Sequence, residues 1–129
     1  MASWDNPVYE AALAYQKTAA VLAAIKFDIF TLIGEGHQTC DVLSERTGAS
    51  KRGIRILCDY LTSIDLLEKR DMRYSATPVA RRYLDASSPA SIASSIDFFA
   101  SPETLRLVLD DPASYVRRGG SDGRAVLAP

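Results

Sequence analysis

Histidine and cysteine are scarce in this chain, and their scarcity removes several kinds of chemistry at once. Among 129 residues there are two cysteines, Cys40 and Cys58, and one histidine, His37. No C-x-x-C pair occurs and the lone histidine with two separated thiols makes no metal-ligand set, so a metal site is not expected. Cys58 falls on an apolar helical stripe, where it packs as a small hydrophobe. Cys40 falls in the first turn of a helix, a position that can lower a thiol pKa. His37 lies in the loop-like stretch GEGHQT and has no partner that would make it a general base. Long apolar runs are missing, so no membrane span is predicted. The N-terminus MASWDNPVYE has neither a basic n-region nor an apolar h-region, which makes a soluble cytoplasmic protein the expectation. Excess positive charge is missing as well. The 15 Lys+Arg face 16 Asp+Glu, with a pI near 5.8, which handicaps non-specific binding to nucleic acid.

What the chain does have is a hydrophobic content of 47%, enough for one domain with a genuine core. Five of its six prolines follow a residue able to cap a helix: Asn6-Pro7, Thr77-Pro78, Ser88-Pro89, Ser101-Pro102 and Asp111-Pro112. Each pair reads as a helix start, because the cap's oxygen takes an orphan N–H while proline has none to leave unsatisfied. Helices are therefore expected at about 7–24, 26–34, 40–47, 51–65, 78–85, 89–99 and 102–110. Only 66–70 and 72–76 read as strands.

The stretch ASKRGIRILCDYLTSIDLLEKRDMRYSATP, Ala49 to Pro78, poses the functional question. Ile54, Leu57, Cys58, Leu61 and Ile64 recur at helical spacing and predict a buried stripe, with Arg52, Arg55, Asp59 and Thr62 opposite. Thr39 can cap the preceding helix, which contains Val42 and Leu43. TGAS then supplies a turn, with Ser50 capping the next helix. LLEKR and MRYSA can pair through a turn at Asp71. The whole is a winged helix-turn-helix. A DNA reader of this shape would use Lys51, Arg52 and Arg55 as groove contacts. Asp59, however, lies one turn after Arg55 and can pair with it, and Asp65 closes the same helix. In the wing, Lys69, Arg70 and Arg73 face Glu68 and Asp71. A dimeric winged-helix transcription regulator is the alternative function, and this balance disfavours it.

The N-terminal helix points elsewhere. Its few charges are chiefly Glu10 and Lys17, and alanine stands at positions 11, 12, 14, 19, 20, 23 and 24. A helix apolar nearly all round must be covered all round, which a small domain cannot easily do for a terminal element. Residues 89–109 add Ile92, Ile96, Phe98, Phe99, Leu105, Val108 and Leu109. A homodimer interface is therefore expected on the N-terminal helix, on 26–34 and on 89–109, with Ala12, Tyr15, Ala19, Leu22, Ala23, Phe27, Phe30, Ile92, Ile96 and Phe99 in it.

Three stretches in order, AAIKFDIFTLI, TCDVLSERTGAS and IRILCDYLTSIDLLEKRDMRYSATPVARRYL, together resemble a known family. It is the N-terminal dimerisation domain of S-adenosylmethionine-dependent small-molecule O-methyltransferases, the plant caffeate type and its bacterial antibiotic-pathway relatives. Asp65 departs from the pattern, since the family usually has a glycine there to end the helix in a left-handed turn. The resemblance implies a mainly α fold, a winged helix-turn-helix with extra N- and C-terminal helices forming an intertwined dimer. It implies a dimerisation domain over 1–110 and a linker over 111–129 toward a catalytic domain. It also implies that the winged helix is a scaffold, with no nucleic acid or membrane partner. By analogy, Tyr15, Thr18 and Leu22 of one subunit would help wall the small-molecule substrate pocket of the other. The methyl donor and the catalytic base would belong to the following Rossmann-like domain. No cofactor is expected on this chain itself, because its only glycine-rich stretch, RRGGSDGRA, is not G-x-G-x-x-G and follows no predicted strand.

Overall fold

The computed structural model describes residues 6–120, which fall into two compact units that meet between Ala93 and Ser94. The first unit contains α1 (Pro7–Lys26), α2 (Ile29–Gly34), α3 (Cys40–Thr47), α4 (Lys51–Ser63), β1 (Leu67–Arg70), β2 (Arg73–Ala76) and α5 (Pro78–Leu84). The second contains α6 (Ala93–Phe99, entered from Ala93), α7 (Pro102–Leu109) and α8 (Pro112–Arg118). The fold is mainly helical, with one two-stranded antiparallel sheet among the described residues.

Capping chemistry fixes most boundaries. Asn6 Oδ1 accepts from the N–H groups of Val8 and Tyr9 at the head of α1. Thr39, Ser50, Ser101 and Asp111 cap α3, α4, α7 and α8 in the same way. Of the five prolines expected to open helices, four stand at the first position of one, Pro7, Pro78, Pro102 and Pro112. Pro89 does not. The Ser88 hydroxyl donates to the carbonyl of Arg82 at 2.6 Å and accepts from Ala90 N–H. It is spent on the end of α5 and on a turn, so α6 begins only at Ala93. Thr77 also differs from expectation. Its hydroxyl makes no cap and donates to the carbonyl of Asp65 at 2.9 Å, fastening the start of α5 to the end of α4.

The connection between α3 and α4 is the expected short turn. Gly48 takes a left-handed φ of 76°, and Ser44 Oγ donates to the carbonyl of Ala49 at 2.6 Å. Beyond α4, Asp65 adopts φ 63°, with Asp65 N–H bonded to Thr62 O and Leu66 N–H to Leu61 O. This is the Schellman closure that glycine normally makes. An aspartate therefore does end the helix by a left-handed turn. The hairpin pairs Leu67 with Ala76 and Lys69 with Tyr74 on one face, and Glu68 with Ser75 and Arg70 with Arg73 on the other. Its loop is Asp71-Met72, both with positive φ, the backbone of a type I′ turn. The turn takes two residues where one was expected, so β2 starts at Arg73.

The core of the first unit gathers Ile29, Phe30, Leu43, Ile54, Cys58, Leu61, Leu67 and Tyr74, all essentially inaccessible. Gln38 ties the segment before α3 to β2, since Tyr74 N–H donates to Gln38 O and Gln38 Nε2 donates to Tyr74 O. Gly34 is required where α2 meets buried Asp85, because a Cβ there would lie 2.5 Å from Asp85 Oδ2. α1 contributes only Ala24 to the buried set.

Left-handed backbone at Asp65 and Met72 strains two non-glycine residues, and glycine should relieve it. Asp65→Gly and Met72→Gly are each expected to raise unfolding free energy by about 0.5–1 kcal/mol, the left-handed penalty less the extra chain entropy of glycine. Thermal melts at one fixed protein concentration will read this as a Tm rise of a few degrees.

Candidate dimer interface

α1 is twenty residues long, about 30 Å at the helical rise. Ala12, Tyr15, Ala19, Leu22 and Ala23 recur along it at the three- and four-residue spacing that makes one continuous stripe. Ala12, Tyr15 and Ala19 are exposed, with Tyr15 at 60%, while Leu22, Ala23 and Phe27 are half-buried. On the expected list Phe30 is the exception. It is 1% exposed inside the chain's own core, so it has no surface to offer a partner. α2 follows an abrupt break at Asp28, which takes φ 54°, and this turn swings Ile29, Phe30 and Ile33 inward.

Two clefts flank α1 where it crosses α4. One, of about 550 Å³, is lined by Tyr15, Ala19, Ala20, Gly53, Ile56 and Tyr60 among others. The other, of about 880 Å³, opens beside Tyr9, Leu13, Val21, Ile64, Asp65 and Leu66. Gln16 and Tyr60 line both. The small residues Ala19, Ala20 and Gly53 leave room for close approach by another backbone, with aromatic and branched side chains on either hand. Of the residues expected at a substrate pocket, Tyr15 lines the first cleft, whereas Thr18 and Leu22 line neither. The Thr18 hydroxyl donates back to Ala14 O at 3.4 Å within its own helix. In the first unit Ile92 is exposed; in the second, Ile96 is half-buried and Phe98 and Phe99 are 73% and 67% exposed, packed edge to face on one another.

A polar knot holds α4 to the hairpin. Tyr74 Oη donates to Asp59 Oδ1 at 2.5 Å and Lys69 Nζ donates to the same oxygen at 2.9 Å. The pairing expected between Arg55 and Asp59 is not the one made, because Asp59 leans toward the hairpin and is taken by Lys69 and Tyr74. These bonds hold the Asp59 carboxyl below its usual range, the Tyr74 bond first and the Lys69 bond second. Burial, followed by the bond to Asp59, raises the Tyr74 phenol well above its ordinary value. Cys40 Sγ sits 3.9 Å from Tyr74 Oη. Burial pushes the Cys58 thiol up to about 12, so it is a packing residue, not a nucleophile, at neutral pH. Lys51 is bonded to Asp41 at 2.5 Å, which raises the lysine's pKa. Of the cations expected to serve a groove, Lys51 is thus already engaged by a carboxylate, as is Lys69 in the hairpin.

Among the described residues no group of three His, Cys, Asp or Glu side chains could hold a metal ion, and no helix is long and apolar enough to cross a membrane.

This combination of a thinly covered apolar helix and a helix pair followed by a hairpin is matched over residues 9–86 by the family model for the O-methyltransferase dimerisation domain. The chain belongs to that family. It is 30% identical over 86 residues to the tetracenomycin polyketide synthesis 8-O-methyl transferase of Streptomyces glaucescens, a match covering 66% of this chain and 25% of the relative. The chain therefore spans about a quarter of the length of that relative. A Nostoc punctiforme protein assigned as an O-methyltransferase superposes with a TM-score of 0.83 at 31% identity, covering 95% of this chain and 37% of that one. Human N-acetylserotonin methyltransferase, solved with SAM, shares the fold with a TM-score of 0.77 at 23% identity, over the whole of this chain and 40% of its own.

Asp59→Asn removes the charge that two donors share. It is expected to cost about 1–2 kcal/mol, less than a fully buried ionic hydrogen-bond pair because the carboxylate is partly exposed. The pH dependence follows from the lowered pKa of Asp59. Its stabilisation is full above the unfolded value of about 3.9 and is lost as pH falls through the lower folded value. Denaturant titrations at pH 7 and pH 3 should therefore show wild type and Asp59→Asn converging at the acid end.

Proposed function

We infer that this chain is the dimerisation unit of a SAM-dependent O-methyltransferase that acts on a small aromatic or polyketide-like molecule. α3, α4 and the hairpin serve as a winged-helix scaffold in this reading, and α1 with its neighbouring apolar residues forms the seam of an intertwined homodimer. One observation carries the reading: α1 is apolar around its circumference, yet only Ala24 of its twenty residues is buried by its own chain. A helix of that composition exposed to water would be an association site by default. Obligate interfaces built from such surfaces bury more than about 2,000 Å² in total and resemble a domain core cut in half.

The described residues do not fit the methyl donor. Their only sheet is an antiparallel hairpin, and neither of its strands leads through a glycine-rich loop into a helix. Of RRGGSDGRA, Arg117 to Gly120 end α8 and follow it, and Ser121 onward lies outside the described residues. The reading therefore assigns donor binding and catalysis to the part of such methyltransferases that lies beyond the match. Residues 1–110 would be the dimerisation domain and 111–129 the lead into that part, with α8 a short helix within the lead. Support for a polyketide-like acceptor is the Streptomyces relative named for tetracenomycin polyketide synthesis. A substrate-facing role of α1 would fall to Tyr15, which lines a cleft, before Thr18 or Leu22. No observation favours the DNA-reading alternative.

Sedimentation equilibrium at low micromolar chain should give a mass of about 28 kDa, twice the 14.1 kDa of one chain, if dimerisation is obligate. Ala19→Asp and Leu22→Glu should each cost several kcal/mol by stranding a charge in an apolar seam, and should drive aggregation or unfolding. A folded, monodisperse monomer from the wild-type chain would overturn the reading.

A further inference from the structure

α4 turns one line of side chains away from its own core. Ile54, Cys58 and Leu61 are buried, while Gly53, Ile56 and Tyr60 recur three and four residues apart on a different line of the same helix. Ile56 is 56% exposed, and the other exposed positions of α4 are Lys51, Arg52, Gly53, Arg55 and Ser63. Gly53 is a second irregularity. Its backbone is helical, and a Cβ there would meet only the Ser50 hydroxyl, at 3.0 Å, the end of a flexible side chain. Glycine weakens a helix relative to alanine, so α4 carries a cost that neither its backbone nor the buried core demands. Gly53, Ile56 and Tyr60 all line the 550 Å³ cleft against α1, where Tyr15, Gln16, Ala19, Ala20 and Leu57 complete the wall. None of these residues is charged. The other cleft beside α1, in contrast, has Glu10, Lys17 and Asp65 in its lining.

We propose that this uncharged cleft receives α1 of a second copy, so that the dimer seam runs from α1 onto the exposed line of α4. The inference rests on the homodimer reading and names where the second copy sits. Self-complementarity selects the occupant. A cleft without charges closes at least cost over a surface that strands none. The stripe Ala12, Tyr15, Ala19, Leu22 and Ala23 is such a surface, on a helix whose only charges are Glu10, Lys17 and Lys26. Tyr15 and Ala19 belong both to that stripe and to the cleft wall, so stripe and cleft form one continuous apolar surface. In a two-fold contact each copy offers the same surface to the other. The match to the O-methyltransferase dimerisation domain, residues 9–86, spans nearly all of α1 and the whole of α4. Gly53, with Ala19 and Ala20, then lets the incoming helix come close, and Ile56 packs against it in place of water.

Two variants alter the cleft and leave the buried stripe of α4 untouched: Ile56→Glu places a charge in it and Gly53→Leu fills it. Sedimentation velocity over a concentration series should show each raising the dimer dissociation constant by about tenfold or more. Arg46→Glu, at an exposed position of α3, should leave the constant unchanged. The wild-type chain supplies a readout that does not depend on how the variants fold. In a mixture of ¹³C-labelled and unlabelled chains, the Ile56 methyl groups should show NOEs to unlabelled side chains. A wild-type chain that stays monomeric overturns this inference and the homodimer reading together. A wild-type dimer in which the Ile56 methyls show NOEs only within their own chain overturns this inference alone and leaves the cleft to a different occupant. So does a wild-type dimer whose dissociation constant neither cleft variant moves.

Discussion

An apolar helix that its own chain covers only in part is the constraint around which this domain is arranged. The first unit closes its core with α2 to α5 and the hairpin, and draws on α1 for little more than Ala24. Twenty residues of helix this poor in charge make a costly solvated appendage, and the described residues of the chain cover them only in part. On the proposed reading a second copy supplies the rest. The small side chains Ala19 and Ala20, with Gly53 of α4 beneath them, then have a purpose beyond helix propensity, because they set how near another backbone can come.

The scaffold under α1 is held by a few specific contacts. Asp59 gathers Tyr74 and Lys69, so α4 cannot rotate against the hairpin without breaking two charge-assisted bonds. Thr77 bonds the carbonyl of Asp65 and so locks the end of α4 to the start of α5. Gln38 brackets Tyr74 through both its backbone and its side chain. The Thr77 bond helps explain how the strained non-glycine conformation at Asp65 persists, since neighbouring bonds fix the conformation it must adopt.

Most of the fold could be read from local chemistry. Cap and proline pairs act within four residues, and they placed α1, α5 and α7; Asp111-Pro112 starts α8 in the same way, although no helix was expected beyond 110. The apolar stripe Ile54, Cys58 and Leu61 follows from helical period alone, and all three are buried. The failures share a cause, competition from groups distant in sequence or from a second use of the same atom. Ser88 looked like a cap but spends its hydroxyl on Arg82 O. Asp59 looked like a partner for Arg55 but meets Lys69 and Tyr74, ten and fifteen residues on. Phe30 was assigned to a surface because its neighbours are apolar. The left-handed break at Asp28, which decides the direction of α2, has no strong sequence signal in an aspartate. The cleft residues Gly53, Ile56 and Tyr60 were missed as a group, although an isoleucine between Arg55 and Asp59 on a polar face was a visible irregularity.

The seam on α1 is tested most directly by isotope-filtered NOE spectroscopy on a mixture of ¹³C-labelled and unlabelled chains. If a second copy covers α1, the methyl groups of Ala12, Ala19 and Ala23 will show intermolecular NOEs to unlabelled side chains. A folded sample in which those methyls show NOEs only within their own chain, and are strongly relaxed by a paramagnetic co-solute, would contradict it.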